Sequence, residues 1–282
     1  MEATGERYIP EQMKGQIEAE HWCRYHFVHN IFNLQGKRVL DIASGAGYGS
    51  HLLAHYAEKV YGVDISKEAV AYAHSHFQKE NLEYRQGDCC HIPLPDESVD
   101  MVVSFETIEH HDQHEAFLQE ISRVLTADGV LVMSSPDKKQ YTDIPNYHNP
   151  YHVKELYAEE FYTLIERHFS HSIRYSQALI IGSLIYPQGK ITQQPFISFA
   201  GNNSSESNVL YNLVIASNIS LKLPTPVLLY SDTAMVAFPK GEMEDRVHDA
   251  FQRGVAYNRQ SLSWRIGNIL LTPLKLLRRK RK

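Results

Sequence analysis

The chain has 282 residues, 43% of them hydrophobic and 22% charged. That composition excludes a wholly disordered, collagen-like or disulfide-scaffold protein, and the length is enough to bury a large core without metal or disulfide staples. The net charge of −5 is unevenly spread: residues 259–282 carry eight Lys and Arg and no acid, which leaves −13 on residues 1–258. An acidic body excludes a nucleic-acid surface there, and the basic end calls for a negatively charged partner.

The cysteines are few: Cys23, Cys89 and Cys90, with no C-x-x-C pair. Reduced thiols in a cytoplasmic protein are the simplest reading, and no zinc ribbon is expected. The first residues, MEATGERYIPEQMKG, lack a basic stretch followed by an apolar one, so no signal peptide is expected. No apolar run reaches the length needed to span a bilayer.

Residues 1–14 read as loop. Residues 15–34 carry Trp22, Tyr25, Phe27, Val28, Ile31 and Phe32 at helical spacing. Lys37–Ala43 is a short apolar run ending in Ser44-Gly45-Ala46-Gly47-Tyr48-Gly49, which predicts a buried strand, a glycine turn and a helix. Next come a strand over Lys59–Asp64, a helix from an N-capping Ser66 to Phe77, and a strand over Leu82–Gly87. A loop with Pro93 and Pro95 precedes a strand over Val99–Phe105; helix His114–Leu125 and strand Gly129–Ser134 follow. Strands alternating with helices predict βαβ units and a parallel sheet. A loop from Pro136 to Tyr151 leads to helix Ala158–His168 and a strand over Ser172–Ile185. Residues 186–208 read as an exposed insertion, and Leu210–Ala216 and Pro226–Leu229 as later strands.

Ligands of an open parallel sheet sit beyond the carboxyl ends of its strands. The turn after the first strand fails the dinucleotide pattern G-x-G-x-x-G, because Ser50 stands where the third glycine belongs, and no G-x-x-x-x-G-K is present. Three acids end three successive strands: Asp41, Asp64 and Asp88. Asp64 stands where a carboxylate accepts ribose hydroxyls. Asp88 can accept an adenine amino group, and Asp41 an ammonium, directly or through water. Such a set suits a cationic nucleoside better than a pyrophosphate.

With these residues in view, the sequence resembles the class I S-adenosylmethionine-dependent methyltransferases. The likeness rests on VLDIASGAGYGS (39–50), VYGVDIS (60–66), GDCCHIPLPDESVDMVVSFETIEH (87–110) and LTADGVLV from Leu125 to Val132. It implies an α/β, Rossmann-like fold: a seven-stranded, mostly parallel sheet with helices on both faces and a reversed last hairpin. It also implies S-adenosyl-L-methionine as cofactor. Ala43, Ser44, Gly45, Gly47 and Tyr48 would line its methionine part. Asp64 and Ile65 would hold the ribose and an adenine face, Asp88 and the Cys89 backbone the adenine edge, and Phe105 and Glu106 the floor by the sulfonium. The chain is further similar to bacterial methyltransferases of O-antigen and surface-polysaccharide clusters, through Thr4-Gly5-Glu6-Arg7-Tyr8-Ile9-Pro10, Asn149-Pro150-Tyr151-His152-Val153-Lys154-Glu155, and Ser263-Trp264-Arg265 through Pro273-Leu274. The spacing in the last of these is longer than theirs.

The organisation expected is a lid segment and helix over 1–35, a methyltransferase domain over 36–240 with the insertion near 186–208, and a helical basic tail over 241–282. The function expected is O-methylation of a sugar hydroxyl of a surface polysaccharide, such as lipopolysaccharide O-antigen or capsule, or of its lipid-linked precursor. A small-molecule methyltransferase acting on a quinone precursor or natural product is the alternative, and a non-catalytic scaffold of a glycan assembly complex a third reading.

A hydroxyl acceptor is a weak nucleophile and gains from a base near pH 7. Of 16 His, His110 and His111 follow the fourth strand and His152 lies in the loop after the fifth. His110 is read equally well as the base or as a ring that orders its loop, and His152 as a substrate contact or a loop-ordering ring. No metal is expected, since Glu109, His110 and His111 match no standard ligand spacing. Tyr8, beside Arg7, is a candidate for the cofactor carboxylate. The apolar and basic residues of Leu262–Lys282 suit the interface of an anionic membrane, or a helix docked on the domain.

Overall fold

In the computed structural model the described residues are 7–10, 12, 13, 15–178, 209–221 and 223. The chain opens with helix α1 (Gln16–Ile31) and then alternates: β1 (Arg38–Ile42), α2 (Tyr48–Leu53), β2 (Lys59–Asp64), α3 (Lys67–His76), β3 (Leu82–Gln86). β4 (Val99–Phe105), α4 (His114–Val124), β5 (Leu125–Pro136), α5 (Ala158–Glu166), β6 (His171–Ala178) and β7 (Val209–Ser217) complete it. The strands form one seven-stranded sheet in the order β3-β2-β1-β4-β5-β7-β6. β1 to β5 pair in parallel, and β7 runs antiparallel between β5 and β6. The expected fold class is the one observed.

The chain leaves β1 towards β3 and returns to β4 on the other side. The strand order therefore reverses between β1 and β4, which opens a crevice at their carboxyl ends. Alternation along the strands feeds two apolar layers. Leu40, Ile42, Val102, Leu131 and Met133 pack with Phe117, Leu118 and Ile121 of α4 and Phe161 and Ile165 of α5. Val39, Val103, Val130, Val132 and Ile215 face the other way, onto Tyr25 and Val28 of α1 and Leu53 of α2. α4 is a clear case of pattern making structure: Phe117, Leu118, Ile121 and Val124 recur at helical spacing and are all buried. Ser66 caps α3 as expected, its Oγ accepting from Ala69 N at 3.2 Å.

β5 starts at Leu125, four residues before the expected Gly129, because Leu125 pairs with Val99 across a register irregularity. The loop after β5 contains one π-helical turn, Lys139–Asp143. No helix among the described residues is long and apolar enough to cross a membrane. The expected insertion near 186–208, the strand over 226–229 and the tail over 241–282 lie outside the described residues, as do most of residues 1–14 and the end of the strand expected to reach Ile185.

Candidate active site

The turn after β1 holds three left-handed residues: Ala43 at φ 61°, Gly45 at φ 54° and Gly47 at φ 89°. Glycine is needed at 47 for a second reason, since a Cβ there would stand 2.6 Å from Ala73 Cβ and 2.7 Å from the Tyr84 hydroxyl. The winding turn leaves Ser44 Oγ buried with no hydrogen-bond partner among the described residues. An orphaned hydroxyl on a crevice floor fits a polar ligand, which would satisfy it.

The three strand-end acids differ sharply in surroundings. Asp41 is buried and accepts from Ser50 Oγ at 2.5 Å and from the Tyr25 hydroxyl at 3.1 Å. Burial pushes its carboxyl up to about 7, against those hydrogen bonds. Asp64 accepts from the backbone N–H of Gly45 at 2.8 Å and of Ser66 at 2.9 Å, which fixes its orientation and leaves lone pairs on both oxygens. Ile65, beside it, is 68% exposed and offers a flat apolar face to an adenine ring. Asp88 is exposed, with Oδ1 accepting from Cys90 N at 2.8 Å. Together these residues fit the nucleoside and amino-acid ends of S-adenosylmethionine: hydroxyl acceptors at 64, an adenine edge at 88, and a carboxyl at 41 that an ammonium would ionise.

Two expected results follow. Asp64→Ala weakens cofactor binding by about 1–3 kcal/mol, the range for losing charge-assisted hydrogen bonds; an unchanged affinity in calorimetry would remove the ribose from this carboxylate. The second concerns pH. The folded carboxyl of Asp41 titrates near 7, against 3.8 for an ordinary aspartate. Its neutral form therefore stabilises the free fold fully below about 3.8, and that contribution is lost as pH rises through 7. A cationic ligand nearby lowers the value, so binding near pH 7 releases protons and tightens as pH rises through 7. Binding enthalpies at pH 7 will differ between buffers of low and high ionisation enthalpy, and Asp41→Asn removes the difference; equal enthalpies in the wild type would separate Asp41 from the ligand's charge.

On the β4 side, Phe105 is buried edge-on to Tyr25, with centroids 5.1 Å apart. Glu106 follows at φ 51°, accepting from Ser134 Oγ at 2.5 Å and standing 3.7 Å from the Arg24 guanidinium. Arg24 is one of several polar residues that α1 buries: Glu18, Glu20 and Arg24 all lie within the protein. Arg24 Nη1 donates to Gln177 Oε1 at 2.9 Å, and its guanidinium lies 5.0 Å over the Tyr211 ring. Burial opposes its charge, but Glu106 and its other neighbours outweigh that and hold it firmly protonated. Burial also pushes Glu20 above the usual carboxylate range. Sequence spacing marked α1 as packed, but not that it brings Tyr25 to Asp41 and Arg24 to Glu106.

Tyr8 is buried against the glycine turn, with its ring edge-on to Tyr48 at 4.9 Å. Its hydroxyl donates to Glu18 Oε1 at 3.2 Å and accepts from Trp22 Nε1 at 3.2 Å, and its ring stacks on His21. Tyr48 turns its hydroxyl to His21 Nδ1 at 2.6 Å and packs edge-on against Tyr8 and Tyr25. Arg7 is the residue that reaches over the glycine turn, with Cγ 3.8 Å from where a Gly45 Cβ would stand and Nη2 4.0 Å from Asp64 Oδ1.

The three candidate histidines part company. A 3-10 turn, Ile108–His110, carries His110 to the lip of the crevice. His110 Nδ1 lies 3.0 Å from the Tyr151 carbonyl, which can only accept, so Nδ1 carries the proton and Nε2 is the basic nitrogen. His152 packs edge-on to it, with centroids 5.2 Å apart. Both nitrogens of His152 are engaged: Nε2 with the Asn149 amide at 3.1 Å, and Nδ1 with Glu155 Oε1 at 2.5 Å. The Glu109 carbonyl accepts from Val153 N at 2.9 Å and Lys154 N at 3.0 Å, which ties the two loops together. His111, one residue on, turns away from this pair. It lies against Phe117 and His114, beside Cys89 and Cys90.

Residues 40–133 match the family described as "Methyltransferase domain". A Mycolicibacterium smegmatis protein named "probable S-adenosylmethionine-dependent methyltransferase" is 37% identical over 169 residues, covering 58% of this chain and 63% of that protein. The fatty-acid O-methyltransferase of the same organism is 30% identical over 125 residues, covering 44% of this chain and 45% of the relative. The chain thus spans less than two thirds of the length of these relatives. Among solved structures, a S-adenosylmethionine-dependent methyltransferase from Archaeoglobus fulgidus shares the fold, with a TM-score of 0.52 at 18% identity over 70% of this chain and 93% of that one. Residues 40–133 thus match a methyltransferase-domain family, and they include the two strands, β1 and β4, that flank the crevice.

Proposed function

We propose that the chain is an O-methyltransferase acting on a sugar hydroxyl of a bacterial surface polysaccharide, O-antigen or capsule, or of its lipid-linked precursor. The observation that supports this reading is the lip over the crevice. It is polar and rich in tyrosine: Tyr147 and Tyr151 are 50% and 49% exposed, Tyr141 stacks on His152 at 5.3 Å, and Asn149 and His110 stand beside them. Aromatic faces flanked by hydrogen-bonding groups suit a pyranose, which has apolar faces and a polar rim. The basic tail, Arg259 to Lys282, favours an acceptor carried on an anionic membrane, with the protein at the inner face of the cytoplasmic membrane.

S-adenosylmethionine supplies an electrophilic methyl group on a sulfonium. The protein's share is alignment and exclusion of water. His110 Nε2 takes the acceptor hydroxyl's proton as the oxygen attacks. His152, with both nitrogens engaged, positions His110 and the Tyr141 ring. Glu106, held by Ser134 and Arg24, fixes the crevice floor.

A second reading has one specific support. The fatty-acid O-methyltransferase relative and the exposed Ile144 and Val153, 61% and 64% exposed on the same lip, point to a lipid acceptor. Incubation with methyl-labelled S-adenosylmethionine and separate glycan, lipid-linked glycan, fatty-acid and quinol acceptors decides between them. Label in glycan or lipid-linked glycan is the expected result. Label only in fatty acid or quinol overturns the polysaccharide reading, and tight cofactor binding with no turnover on any acceptor would favour a scaffold.

A further inference from the structure

Cys89 and Cys90 follow β3, and His111 ends the turn after β4, so the fold joins residues more than 20 positions apart. Their ligand atoms all lie within 4.8 Å of one another. The two sulfurs are 4.0 Å apart. Two thiolates on one tetrahedral ion stand about 3.8 Å apart, given metal–sulfur bonds of about 2.3 Å. The His111 ring completes the set. Both of its nitrogens are buried and have no hydrogen-bond partner among the described residues. A buried imidazole normally finds partners, so this one is short of a ligand for at least one nitrogen. None of the three side chains has a part in the proposed methyl transfer, because Cys89 is expected to meet adenine through its backbone alone.

We propose that Cys89, Cys90 and His111 form a binding site for a thiophilic divalent cation, with Zn2+ as the natural occupant. Two sulfurs and one imidazole are a soft donor set that selects zinc over magnesium or calcium. Binding converts both thiols to thiolates, so two protons leave as the ion enters. The fourth position is open to water. The ion would pin the loop after β3, which carries Asp88, to the turn after β4, which carries His110. It would thereby couple the adenine side of the crevice to its lip.

The test is a Co2+ titration of the full chain, reduced and free of oxygen. One equivalent should give a thiolate-to-cobalt charge-transfer band in the near ultraviolet together with the strong visible bands of tetrahedral Co2+, and Zn2+ should displace it. The wild-type spectrum requires no variant to fold. Cys23→Ser, in α1, should leave the spectrum unchanged. Cys90→Ser and His111→Ala should each weaken binding by about 100-fold or more, since loss of even an outer-shell partner costs about 10–100-fold. Absence of the thiolate band, or a band that survives both variants, overturns the proposal. Neither outcome bears on methyl transfer, which the labelling experiment reads separately.

Discussion

Replacing His110 with alanine should lower the rate of methyl transfer about 10²–10⁴-fold, the usual share of a general base, and leave the affinity for S-adenosylmethionine intact. The ring reaches the lip on a 3-10 turn, and the Tyr151 carbonyl sets its tautomer, so Nε2 is the nitrogen that the proposed proton transfer would use. The pH–rate profile carries the decisive information. The wild type should lose activity on the acid side, and His110→Ala should lose that limb. A variant with the wild-type limb intact would remove His110 from proton transfer, even if its rate were low. Asn149→Ala, which removes the amide at His152 Nε2, should act more weakly and through positioning.

Arg24→Met should cost the fold about 3–5 kcal/mol, the range for breaking a buried ion pair by removing one partner. The Arg24 side chain is 2% exposed and stands 3.7 Å from Glu106. Its loss leaves the Glu106 and Glu20 carboxylates in a poorly solvated wall without their cation. The midpoint of urea unfolding should fall accordingly. The double variant Arg24→Met, Glu106→Gln should recover much of the loss, because a neutral pair needs no compensation. A single variant as stable as the wild type would mean that water reaches the pair.

The parts of the structure that were plain in the sequence are those whose signal is local. β2 and β4 have the expected bounds because their apolar runs end in Asp64-Ile65-Ser66 and Glu106-Thr107, where the chain must turn. α4 follows from apolar residues at helical spacing. The crevice was legible because an acid at a strand end is a statement about sheet topology. The wall that α1 adds was not. A helix that buries Glu18, Glu20 and Arg24 alongside Tyr25, Phe27 and Val28 shows only part of its inner face as apolar spacing, and the Tyr25–Asp41 contact depends on how that helix is rotated. Adjacent His110 and His111 read as a pair in the sequence. The chain leaves the 3-10 turn at His111 in extended conformation, φ −148° and ψ 169°, so the two rings diverge.

Ala43 and Glu106 close the two strands that flank the crevice, and both hold a backbone conformation that side chains disfavour, at φ 61° and φ 51°. Strain of this kind is tolerated where the surroundings over-determine it, and it is lost to no one's benefit unless rigidity is useful. Relaxing it should therefore separate two properties that usually rise together. Ala43→Gly ought to raise the melting temperature, by an amount equivalent to about 1 kcal/mol, while making the floor of the crevice looser and the complex with its nucleoside shorter-lived. A thermostable variant selected without regard to turnover would be expected to drift in that direction.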